Sequence, residues 1–226
     1  MNYRTQKIFV TLLLSGVLNT AIGQKVIERP QLFKRPSPYE RYTTYRVSVN
    51  GGLGMPAGTF KNYMGANARR NYTIELDFVF PQNNLSAGVI GGLQYFKQRL
   101  PRQVYNFDDG AISAVQTRTF SAYTVVATGS YHLAKVNAPL RPYLQAGLGG
   151  AFAEVVNYWG LIPTGNNGFR VVGQIGGGLR YLFNKNGNFG LEASANYLYI
   201  PFRLSSENIR DASSLNARVG VFYRWW

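Results

Sequence analysis

The stretch Leu215-Asn-Ala-Arg-Val-Gly-Val-Phe-Tyr-Arg-Trp-Trp226 leaves little choice of backbone, because its side chains change character residue by residue. Leu215, Ala217, Val219, Val221, Tyr223 and Trp225 fall on one side, and Asn216, Arg218, Gly220 and Arg224 on the other. That period of two belongs to a β-strand with one apolar face. Phe222 departs from it. The pattern recurs upstream between Gly, Pro and Asn clusters, so that strands are expected at 42–54, 70–80, 85–99, 117–133, 142–159, 168–183, 189–200 and 214–226, eight in all.

No stretch beyond the N-terminus approaches the ~18 to 20 uninterrupted apolar residues that a membrane helix needs. If this chain enters a bilayer it must do so as a closed barrel, since hydrocarbon offers no partner to an unpaired backbone group. The connections agree. Residues 55–69, 100–116, 160–167 and 201–213 form a longer set, whereas 81–84, 134–141 and 184–188 form a shorter one, and the two sets alternate. An even-stranded barrel sends all its long loops to one face and its short turns, with both termini, to the other.

At the N-terminus, Arg4 and Lys7 precede the apolar run 8–18, and Ala21 and Gly23 are small residues placed for cleavage before Gln24. Residues 1–23 therefore read as a secretory signal peptide, with Gln24 as the expected start of the mature chain. No Cys exists for a lipid anchor or a disulfide. Residues 24–41 carry three prolines and five basic residues without a period, and read as an irregular basic segment ahead of the barrel. Of 24 basic residues, Arg4 and Lys7 leave with the signal, so 22 face 10 acidic ones, a net +12. A secreted chain with no basic helix is not expected to bind nucleic acid. Anionic headgroups, lipopolysaccharide phosphates or an acidic partner are the more natural counter-charges.

One face of the strands is expected to meet lipid. Its aromatics gather at two levels: Tyr72, Tyr95, Tyr123, Phe169 and Tyr197 near the long loops, and Phe80, Tyr131, Tyr181, Phe189 and Tyr223 near the short turns. They form two girdles about an apolar band ≈ 25 Å tall. The other face is polar, with Arg46, Arg170, Arg180, Arg218 and Arg224 against Glu75, Asp77 and Glu192, an excess of two positive charges. Eight strands enclose too little room for a wide channel. The charges are expected to form a network centred on Glu192 and Arg180, which face each other if the 184–188 hairpin has a simple register. At most a narrow, anion-preferring path would remain.

This all-β pattern over residues 42–226 resembles the eight-stranded antiparallel, up-and-down transmembrane β-barrels of bacterial outer membranes, the family that includes the transmembrane domain of outer-membrane protein A. The Gln at position 24 looks like the Bacteroidota branch. The resemblance implies a cell outer membrane location with periplasmic termini, and lipid and lipopolysaccharide as neighbours. It further implies an assembly signal in the aromatic end of the last strand, Trp225 and Trp226, read by the barrel-assembly machinery during insertion. The apolar register ends on Trp225, so either Trp226 turns inward or a bulge intervenes.

Chemistry is sparse. His132 is the only histidine and lies on the lumen face at the short-turn end, where it reads as a polar filler. Gly147-Leu-Gly-Gly150 and Gly176-Gly-Gly178 lack the Lys and following helix of phosphate-binding loops and read as room for a narrow barrel. Asp108-Asp-Gly110 falls short of a Ca²⁺ site. No catalytic residue, cofactor or metal is expected. Three classes stay open: a structural or accessory barrel that docks onto an envelope protein partner or secretion assembly, a narrow pore or ligand-binding barrel, and, last, an envelope enzyme.

Overall fold

The computed structural model describes residues 36–107, 110–160, 162–184, 186–202 and 210–226. The signal peptide, Gln24, most of the basic segment and the Asp108-Asp109 pair lie outside the described residues.

Eight strands form one closed antiparallel ring in chain order: β1 Thr44–Pro56, β2 Ala68–Phe80, β3 Leu85–Phe107, β4 Gly110–His132, β5 Leu140–Trp159, β6 Ile162–Leu182, β7 Phe189–Tyr199 and β8 Ser214–Trp225. β1 pairs with β8, from Tyr45↔Trp225 to Pro56↔Ser214, so no edge is left open. Alternation explains the placement of side chains. Along β2, Asn71, Thr73, Glu75, Asp77 and Val79 are buried while Tyr72, Ile74, Leu76, Phe78 and Phe80 are exposed. An outer wall this apolar around the whole ring is the surface a bilayer covers. No described helix is long and apolar enough to cross a membrane.

Several expected boundaries are corrected. Residues 100–116 are not a loop, because β3 and β4 continue as a ladder to Phe107↔Gly110. A register shift between Arg99 and Arg102 accommodates Pro101, which has no N–H to give the ladder. Residues 162–167 likewise extend β6, paired back to Trp159, with the chain reversing at Gly160 at a φ of +65°. Phe222 lies on the inward face with Asn216, Arg218 and Arg224, 4 % exposed, the apolar exception on that face. Trp226 neither turns inward nor follows a bulge: β8 stays in register through Trp225, and Trp226 lies exposed beyond it.

Two one-turn helices accompany the strands. α1, Pro38–Arg41, replaces the irregular backbone expected there, with Pro38 in its first turn and the Ser37 N–H donating to Glu40 Oε2 at 3.0 Å. α2, Phe60–Tyr63, lies in the β1–β2 loop.

Candidate functional site

The lumen is built in layers. Nearest the short turns, inward positions of β1, β2, β6 and β7 place Arg46, Glu75, Asp77, Arg180 and Glu192 together, each about 3 % exposed. Arg46 donates from Nε to Asp77 Oδ2 at 3.1 Å, pairs through Nη2 with Glu75 Oε1 at 2.9 Å, and reaches Glu192 Oε2 through Nη1. Arg180 donates to Asp77 Oδ2 at 3.1 Å and to Glu192 Oε1 at 3.3 Å. It stands opposite Glu192 in the β6–β7 ladder. The Tyr143 hydroxyl donates to Glu192 Oε1, and Gln145 Nε2 to Glu75 Oε1 at 2.9 Å. Glycine makes the room: a Cβ at Gly88 would lie 2.1 Å from Asp77 Oδ1. Because Arg46 shares Glu192, the Arg180–Glu192 pair does not stand alone.

Three of the expected network members lie elsewhere. Arg218 is buried one layer toward the loops, where its Nε donates to Asn71 Oδ1 at 3.2 Å. Arg224 donates to the carbonyls of Gly187 and Val136, both at 2.9 Å, and lies 4.0 Å from the Tyr39 ring. Arg170, half-buried, is at the opposite end against Phe202 and the Phe169 carbonyl. The contact cluster thus holds two guanidiniums against three carboxylates, not an excess of cations. Arg141, which sequence reasoning missed, faces Arg180 across β5–β6. With Arg46, Arg180 and Arg224 it lines a cavity of about 20 Å³, the size of one water molecule. His132 is fully buried, its Nε2 3.0 Å from Ser86 Oγ and 3.3 Å from Arg180 Nη1. Arginine only donates, so Nε2 accepts there.

Above this layer, Asn216 accepts from Asn71 at 2.8 Å and Gln94 at 2.6 Å. The layer beyond is apolar. Phe60 of α2 packs against Phe96 and Phe120, with ring centroids 5.2 and 5.0 Å away, and Phe120 meets Phe202 at 6.1 Å. Met64, Val126, Val172 and Ile200 close the cluster. Asp211 latches α2 to the β7–β8 loop by accepting from Thr59 Oγ1, the Thr59 N–H and Ser213 Oγ. Burial opposes the Asp211 charge, but these hydrogen bonds outweigh it and hold the carboxyl below its ordinary range. At the other mouth, Tyr39 of α1 donates to Asn188 Oδ1 at 2.6 Å and packs with Val79 and Val136. Described side chains therefore fill the lumen from one mouth to the other.

Outside, both expected aromatic groups stand on the wall. Tyr72, Tyr123, Phe169 and Tyr197 are exposed toward the loops, with Tyr95 half-buried. Phe80, Tyr131, Tyr181 and Phe189 are exposed toward the turns, with Tyr223 half-buried. Where β1 meets β8 the rings form a continuous ladder: Phe78 to Tyr45 at 5.5 Å, Tyr45 to Trp225 at 5.8 Å, Trp225 to Tyr223 at 5.8 Å and Tyr223 to Phe189 at 4.8 Å. Trp226 stacks on Tyr42 at 6.3 Å.

Among solved structures, the chain is similar to Neisserial surface protein A, at 15 % identity and a TM-score of 0.52, over 81 % of this chain and 97 % of that one. It is also similar to a major outer membrane protein from Thermus thermophilus, at 12 % identity and a TM-score of 0.50, over 81 % and 99 %. The likeness is one of fold. No protein-family model matches the sequence, and no curated relative does.

Proposed function

We propose that the chain is an integral outer-membrane β-barrel of the kind that includes the transmembrane domain of outer-membrane protein A, with its loop end outside and both termini in the periplasm. It acts as a non-conducting structural or accessory barrel whose work lies on its wall and rim. The observation that carries this reading is the filled lumen beneath an apolar outer wall: a charge cluster, a polar layer and an aromatic plug lie in series between the two mouths. A pore would need at least one continuous polar path, and the aromatic plug among the described residues supports the non-conducting reading. His132 is buried beneath Arg180 and out of a substrate's reach, which supports a non-catalytic role. Gln24 supports the Bacteroidota branch and, with it, a place beside a larger envelope or secretion assembly.

Membrane fractionation with heat-modifiable gel migration, planar-bilayer recording and copurification from native membranes test the reading together. Recovery in the outer membrane, no single-channel steps and a stoichiometric envelope partner are expected. Stable conductance steps from the parent protein would favour the pore instead.

A further inference from the structure

The β1–β2 ladder breaks at one place toward the loops. Gly52 pairs with Asn71 and Gly54 with Ala68, so Leu53 alone opposes two residues, Arg69 and Arg70. Strict alternation would send one of these arginines into the apolar plug beside Ala68. The bulge turns both outward instead, and both are exposed. On the neighbouring strand, Lys97 and Arg99 follow Tyr95 on the same outer face. Arg70 is the register partner of Tyr95, and its guanidinium carbon lies 5.8 Å from that ring's centroid. Arg69, Arg70, Tyr95 and Lys97 line a groove of about 690 Å³ on the outer wall. No carboxylate pairs with these cations among the described residues.

The depth of the groove decides what fits. Tyr72 and Leu93 form the next outward row below Arg70 and Tyr95, and exposed Ile74 and Val125 continue the wall beneath. At roughly 3.3 Å of strand per residue, Arg70 stands level with Tyr95 of the aromatic belt and Lys97 one outward row beyond it, the depth range of lipid headgroups. An anion held there by a soluble partner would need no apolar wall under it, whereas an amphiphile needs both. Arginine's planar fork matches phosphate oxygens two at a time.

We propose that this groove binds the phosphorylated headgroup of an outer-leaflet glycolipid of the lipopolysaccharide type, its acyl chains lying on the wall below. The inference rests on the outer-membrane reading with the loop end outside. Its test is the purified barrel in detergent micelles, titrated with bis-phosphorylated lipid A and with the same lipid A stripped of phosphate, bound lipid being counted by native mass spectrometry. The parent should prefer the phosphorylated form, and Arg69→Gln/Arg70→Gln/Lys97→Gln should weaken its binding roughly a hundredfold. Lys97→Gln alone should give a partial loss, and Arg41→Gln/Lys135→Gln, at the opposite end, should change nothing. Heat-modifiable migration reports that each variant is folded. Equal binding of the two lipids, an unaffected triple variant, or complete displacement of lipid A by dextran sulfate would each overturn the inference, the last by pointing to an acidic macromolecule. Membrane fractionation separates the two failures: a barrel recovered in the outer membrane that ignores lipid A phosphates sinks this inference alone.

Discussion

Arg46 on β1 and Glu192 on β7 form an ion pair across the lumen, although 146 residues separate them and their strands are not neighbours in the ring. The pair bridges β8, the one strand between β1 and β7, and its value depends on the charge count around it.

Removing Arg46 leaves three carboxylates about one guanidinium, so Arg46→Gln should destabilise the barrel by ~3 to 5 kcal/mol. Glu75→Gln keeps the shape and leaves two charges of each sign, and it should cost under ~1.5 kcal/mol. Adding Arg180→Ala to Glu192→Ala should not restore stability, because Arg46 Nη1 still loses Glu192 and one guanidinium is left to Glu75 and Asp77. Urea unfolding in lipid vesicles ranks the variants, and equal costs for Arg46→Gln and Glu75→Gln would contradict the cluster as described.

The charge cluster and the aromatic plug lie in series, so neither alone controls permeation. Phe60→Ala should cost ~3 to 5 kcal/mol as a buried aromatic truncation and leave the barrel closed. Arg46→Gln should also stay closed. Only the two together should pass ions in planar bilayers, and conductance from Phe60→Ala alone would mean that the lower layer does not seal.

Asp211 makes the loop latch sensitive to acid in one direction. Its folded carboxyl titrates below its unfolded value, so the latch's contribution is present at neutral pH and is lost only as pH falls below about 4. Asp211→Asn should lower the protection of the Thr59 amide against hydrogen exchange, relative to its intrinsic rate, at pH 7, whereas the parent should lose comparable protection only in acid. Parent protection that is lost already near pH 6 would rule out this carboxylate as the holding group.

The absence of cysteine makes orientation easy to read. Asn166→Cys, exposed at the loop end, should react with an impermeant maleimide on intact cells, as should Gly110→Cys; Asn186→Cys at the opposite turn should not. The reverse pattern would invert the topology.

Strand number and the inward or outward facing of each side chain were legible because a period of two survives any error in where a strand ends. Inside the lumen, legibility failed for one reason: the inner face was taken to be polar throughout. Phe96 and Phe120 share the facing of Gln94 and Thr124, so the alternation already placed them inside. Phe60, Tyr63 and Met64, at helical spacing within a Gly-rich loop, were the available sign of what covers them. The tall β3–β4 hairpin was hidden by Pro101, whose bulge interrupts the pattern. Arg170 shows the limit of facing alone: it shares its facing with Arg180 but sits ten residues toward the loops, beyond the reach of any cluster carboxylate.

The ring ladder from Phe78 through Tyr45 and Trp225 to Phe189 joins the first strands made to the last. It cannot exist while synthesis is unfinished, and until β8 arrives both β1 and β7 present naked edges able to template aggregation. A chain cut short before Ser214 would therefore lose the element that covers both of those edges, not merely one strand of its wall.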